Sequence, residues 1–138
     1  MRVLIADDDP ELRAILCTVL RDEGHDVVDV ATGTEAIRIL WDAEEGVVPV
    51  LDVVVLDVCM PELSGLGVLG EMRLLGLAIP TVVVTGFPHV SVDVLATKFG
   101  AMRVLHKPLQ LSDVCEAVRA ASEYDPTAAP IDYDDFVD

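Results

Sequence analysis

The chain has 138 residues, 52% of them hydrophobic but only 4% aromatic, which fits one domain with a core of Val, Leu, Ile and Ala. Its formal charge of -16, from 25 acidic and 9 basic side chains, argues against nucleic-acid binding by this chain, because phosphate affinity comes from Lys and Arg. No apolar run reaches the roughly 18–20 residues of a membrane span, and Arg2 followed by V-L-I-A-D-D-D is not a signal-peptide pattern. Three cysteines (Cys17, Cys59, Cys115) show neither CxxC nor Cys/His spacing, which suits reduced thiols in the cytoplasm.

An apolar run over 3–6 predicts a buried strand that ends in Asp7-Asp8-Asp9-Pro10. Pro10 then opens a helix with Leu12, Ile15, Leu16, Val19 and Leu20 at helical spacing, closed by Gly24. A second strand over 27–31 leads through Thr32-Gly33-Thr34 into a helix holding Ala36, Ile37, Leu40 and Trp41. The third strand covers 50–56 and delivers Asp57, with Asp52 placed to cap its start. Ser64 caps a Gly-rich helix to about residue 75. A fourth strand over 80–84 meets Thr85-Gly86, a helix follows over 90–99, and Gly100 stops it. The fifth strand is 102–105, and a last helix runs over 112–122. Five alternations of continuous aliphatic strands with helices describe a doubly wound α/β domain, its parallel sheet buried on both faces. Ligands of such sheets bind at the carboxyl ends of the strands.

Those ends carry Asp7, Asp8, Asp57, Thr85 and Lys107, the last being one of only two lysines in the chain. Three converging carboxylates repel one another unless a hard cation such as Mg²⁺ sits among them. Lys107 can balance a carboxylate or hold a phosphate oxygen, and Thr85 offers a hydroxyl. The set reads as a phosphoryl-transfer site in which Asp57, the lone acid, is the nucleophile.

The stretches V-L-I-A-D-D-D-P, L-D-V-C-M-P-E-L-S-G, V-V-V-T-G and G-A-M-R-V-L-H-K-P-L resemble, in order and spacing, the receiver domains of two-component response regulators. The resemblance covers residues 2 to about 121. It implies a flavodoxin-like (βα)5 fold, strand order 2-1-3-4-5, over 1–122, with 123–138 as an acidic C-terminal tail. It implies that Asp57 is the phosphoacceptor, and that Asp7, Asp8, Asp57 and the Cys59 backbone carbonyl hold Mg²⁺. Thr85 and Lys107 become the switch hydroxyl and the paired lysine, with a cis Lys107–Pro108 bond. The implied protein is not an enzyme acting on external substrates; it catalyses only its own phosphorylation and dephosphorylation. Its partners are a sensor histidine kinase or histidine phosphotransfer protein and a downstream protein target. The face made by the fourth helix, fifth strand and fifth helix serves output or homodimerisation, with no membrane contact. The family's aromatic three residues before the lysine is here Val104, which motivates a second reading as a phosphorylation-independent interaction module. Cys59 and Phe87 stand where the family tunes phosphoryl lifetime, and neither can orient an attacking water, so slow self-dephosphorylation is expected. A hydrolase of this chemistry usually places a second Asp where Cys59 stands, which ranks that reading last.

Asp9 reads as a helix cap, Cys59 as a filler beside the site, and His25, His89 and His106 as edge residues. The unusually aliphatic fourth helix (Val90, Val92, Val94, Leu95) suits either burial or a partner surface. The tail I-D-Y-D-D-F-V-D reads as an inert end or as a docked acidic-aromatic motif. Without residues 123–138, nineteen acids and nine bases leave the rest at -10, so the domain is acidic by itself.

Overall fold

A computed structural model of the chain describes residues 1–86 and 90–125; Phe87, His89 and the I-D-Y-D-D-F-V-D motif lie outside the described residues. Its elements are β1 (Arg2–Ala6), α1 (Pro10–Asp22), β2 (Asp26–Val30), α2 (Gly33–Glu44), β3 (Val53–Asp57), α3 (Gly65–Leu74), β4 (Thr81–Thr85), α4 (Val90–Lys98), β5 (Arg103–His106) and α5 (Leu111–Ala120). A 3-10 turn, Ala121–Glu123, follows α5. The strands form one parallel sheet in the order β2-β1-β3-β4-β5. The expected fold class and topology are therefore present.

Alternate strand residues point to opposite faces and feed two separate cores. Leu4, Ala6, Val54, Leu56 and Val83 pack with Leu40 of α2, Val68, Leu69 and Met72 of α3, and Ala96 of α4. Val3, Ile5, Val53, Val55, Val82 and Val84 pack with Leu16 and Leu20 of α1 and Val114 and Val118 of α5. Burial on both faces holds for β3 and β4 throughout and for most of β1, but fails at the edges. On β2, Asp26 and Asp29 face solvent, and β5 is only half-buried. An edge strand is covered by fewer helices, so its outer positions tolerate polar side chains.

Local signals end the helices as expected. Asp9 accepts from the Glu11 and Leu12 amides, Thr32 from Glu35, and Ser64 from Gly67. Asp52 accepts from the Arg2 amide at 2.7 Å, tying the lead-in of β3 to the start of β1. β3 begins at Val53 rather than at residue 50, although the Asp52 amide still donates to the Arg2 carbonyl at 2.9 Å. Trp41 is partly exposed, as are Val94 and Leu95 of α4, while Val90 is largely exposed and Ala96 is the one buried residue of that helix. No helix among the described residues is long and apolar enough to cross a membrane.

Candidate phosphoacceptor site

The carboxyl ends of β1 and β3 bring Asp7, Asp8 and Asp57 together, with carboxylate oxygens within 4.8 Å of one another. Asp7 and Asp57 are buried, each 2% exposed, whereas Asp8 faces solvent. Parallel pairing sets the depth of each side chain. Asp57 is the last residue of β3 and pairs with Val84, while the Val58 amide donates to the Val84 carbonyl at 2.9 Å. Thr85 closes β4 one residue later and is fully buried; its carbonyl accepts from the Lys107 amide at 2.8 Å. Thr85 is thereby held by its backbone beside both the end of β3 and Lys107.

Lys107 reaches across the strand ends. Its Nζ lies 3.3 Å from Asp57 Oδ2 and 3.7 Å from Asp7 Oδ2. The Lys107–Pro108 bond is cis, as expected. The other oxygen of Asp57 accepts the Cys59 amide at 3.4 Å, and Asp7 Oδ1 accepts the Asp9 amide at 2.9 Å. Arg13 donates to the Asp7 carbonyl at 2.8 Å and pairs with Asp29 at 3.0 Å, bracing the loop after β1.

Electrostatics show where the charge is uncompensated. Burial, and then the charge of Asp7, push the Asp57 carboxyl from its ordinary 3.8 up to about 6, despite Lys107 and the Cys59 amide. Burial likewise raises Asp7 more than the Asp9 amide and Lys107 lower it. Burial pulls Lys107 down, but Asp57, Asp7 and Asp8 outweigh it and hold the ammonium above the ordinary lysine range. One lysine is thus shared by two buried acids with a third close by. Such an all-oxygen cluster suits a hard divalent cation, which needs a few carboxylates and completes its shell with water or phosphate oxygens.

Two contacts at this end of the sheet were not foreseen. The Gly65 amide donates to the Val58 carbonyl at 3.0 Å, and a Cβ on Gly65 would collide with the Asp57 carbonyl, so only glycine lets α3 start this close to the site. The Ser-Gly pair at 64–65 was legible as a helix start, but the close approach behind it was not. On the far side, His106 Nε2 lies 3.0 and 2.9 Å from the two carboxylate oxygens of Asp93, joining β5 to α4 beside Lys107. The Cys59 side chain is exposed, and burial together with the charges of Asp57 and Asp8 pushes its thiol up. The raised thiol speaks against a reactive thiolate, and the exposure of the side chain shows that it does not fill packing space beside the site.

Comparison with known proteins places this arrangement. The family model of the response regulator receiver domain matches residues 3–119. Transcriptional regulatory protein PdtaR of Mycobacterium tuberculosis is 36% identical over 121 residues, which are 87% of this chain and 56% of that protein. Transcriptional regulatory protein TcrA of the same organism is 30% identical over 130 residues, 94% of this chain and 49% of that protein. The chain thus spans about half the length of these curated relatives. Response regulator protein TrrA from Thermotoga maritima, solved in complex with Mg(2+)-BeF, is similar at TM-score 0.74 and 28% identity, over 87% of this chain and 97% of that one. With most of its length matched and the strand order of the family's fold, the chain belongs to the response regulator receiver domain family.

Proposed function

We propose that residues 1–122 form a phosphorylation-activated signalling switch that accepts a phosphoryl group on Asp57 from a histidine kinase or phosphotransfer protein. By composition, residues 123–138 are an acidic tail, with six acids and no base. The observation that carries this reading is the juxtaposition of buried Asp57 with Asp7, Asp8 and Lys107 at the strand ends. Receiver domains are signalling modules, and in this reading the chain catalyses only its own phosphorylation and dephosphorylation.

Asp7, Asp8, Asp57 and the Cys59 carbonyl would hold Mg²⁺, which when bound neutralises charge on the transferred phosphoryl oxygens. The chain's own residues do the rest. An ionised Asp57 oxygen attacks phosphorus, the new O–P bond forms as the donor's N–P bond breaks, and the imidazole leaves with that electron pair. β3 fixes the attacking oxygen by its backbone pairing, so little entropy remains to be lost on reaching attack geometry. The Lys107 ammonium then binds a phosphoryl oxygen in place of its contact with Asp57, and the Thr85 hydroxyl donates to another.

That exchange is the signal. Lys107 follows His106 directly, and His106 holds Asp93 of α4, so movement of the lysine is felt at the face made by α4, β5 and α5. That face contacts a downstream protein or a second copy, and the chain acts in the cytoplasm as part of a phosphorelay. The test is intact mass after incubation with Mg²⁺ and acetyl phosphate. One added phosphoryl group in the wild type, absent from Asp57→Asn and after chelation, is expected; no adduct overturns the proposal.

A further inference from the structure

The end of the sheet opposite Asp57 leaves aliphatic side chains in water. Val47 and Val50 are each 72% exposed and Leu74 is 65% exposed. Val50 also lines a groove of about 330 Å³ with Ala43, Glu44, Leu51, Ala78 and Ile79. One wall is the end of α2 and the lead-in to β3, and the other is the connection from α3 to β4. These segments precede β3 and β4, whose last residues are Asp57 and Thr85. Groove and acidic site therefore lie beyond opposite ends of the same two strands, roughly 20 Å apart along the backbone from Leu51 to Asp57 and from Ile79 to Thr85. A concave surface of mixed character, lined mainly by small and aliphatic residues with exposed Val50 and the Glu44 carboxylate on it, has the make-up of a contact site.

Charge decides what the groove takes. Segments 41–51 and 74–80 carry Asp42, Glu44 and Glu45 and neither lysine nor arginine. A second copy, at -16, brings like charge to this rim, and so does the segment 123–138, with six acids and no base. Like-charge juxtaposition disfavours both. We propose that the groove docks a segment of a partner protein that presents aliphatic side chains flanked by lysine or arginine. The aliphatic side chains fill the depression around Val50 and Ile79, and the cations meet Glu44 and Glu45 at its rim. Docking at this end leaves the strand ends that carry Asp57 open, so it is independent of phosphorylation.

A short amphipathic helical peptide of leucine and lysine is the probe, titrated into the ¹⁵N-labelled full chain at physiological salt. Amide shifts are expected to cluster in 43–51 and 74–79, with 57–59 unmoved. Val50→Ser keeps the charge and removes an exposed side chain, so it leaves the fold intact and weakens binding about tenfold. Glu44→Gln weakens it less and flattens its salt dependence. Shifts scattered over the acidic surface, with Val50→Ser binding unchanged, would overturn the proposal. So would a dimer in sedimentation velocity that Val50→Ser dissolves, or displacement of the probe by a peptide of residues 126–138.

Discussion

As the proposed phosphoacceptor, Asp57 carries opposing demands in one side chain: it must be buried to be positioned, and it must be charged to react. Burial and Asp7 hold its carboxyl near pKa 6, against 3.8 for the ordinary group. Between about pH 4 and 6 the folded state therefore binds more protons than the unfolded chain, and stability falls as pH rises through that window. The shift corresponds to about 3 kcal/mol once Asp57 is fully ionised. Asp57→Asn removes this penalty. In urea titrations with divalent ions chelated, the variant should match the wild type near pH 4 and exceed it by about 3 kcal/mol at pH 7. A difference that does not change with pH contradicts the argument. A second expectation concerns Cys59, which neighbours the acceptor and has no group able to orient water. Acetyl-phosphate labelling should leave an adduct that survives for minutes or longer, whereas loss within seconds contradicts it. Asp7, Asp8, Asp57, Thr85 and Lys107 were legible in the sequence because each directly follows, or nearly follows, an aliphatic run that fixes where a strand ends. The uneven sharing of Lys107 was not legible, because Nζ distances depend on how strands stack across the sheet.

Between elements, the strongest polar tie lies away from the site. Arg73 of α3 is buried and donates to the carbonyls of Phe99 at 2.8 Å, Gly100 at 2.9 Å and Leu77 at 3.4 Å. It thus serves the carbonyls just after α4, where the helix dipole is negative and favours a cation. Gly100 has φ +90, and a Cβ there would meet Arg73 Nε at 2.8 Å, so conformation and space both require glycine. Arg73→Met keeps the volume but strips one buried and two part-buried carbonyls of a charged donor, at a cost of about 3 kcal/mol in urea unfolding. Amide exchange should accelerate in α4 more than in α1 if the tie is what anchors that helix. Sequence reading treats an arginine on a helix as solvated, and nothing local distinguishes Arg73; only Gly100, read there as a helix stop, hinted at it. Strand interiors were legible for the opposite reason, since runs such as Val53–Leu56 allow one reading. The boundaries slipped by one residue at β2, β4 and β5 and by three at the start of β3, edge and centre alike, because an apolar run does not show which of its residues joins the ladder; at β2 and β5 the edge added a further error, since an edge mixes apolar and polar positions. Val47 and Val50 show the same limit, being as aliphatic as core valines yet exposed.

Taken together, the sheet separates the protein's contacts by direction. The acidic cluster proposed to carry phosphoryl chemistry sits at one end of the strands, the acidic-rimmed groove at the other, and each face carries its own core. Val54 lies in the core beneath α2, α3 and α4, and Val55 in the one beneath α1 and α5; both are buried. Adjacent along the chain, they share no apolar partner, because the sheet stands between their side chains. Val54→Ala and Val55→Ala should each destabilise by about 2 kcal/mol, and the double variant by the sum to within roughly 0.5 kcal/mol. A larger coupling energy in the double-mutant cycle would show that strain crosses the sheet. The consequence is modularity: sequence change can accumulate under one face without forcing compensation under the other, so the surface over α1 and α5 can diverge while the packing beneath α2, α3 and α4 stays fixed.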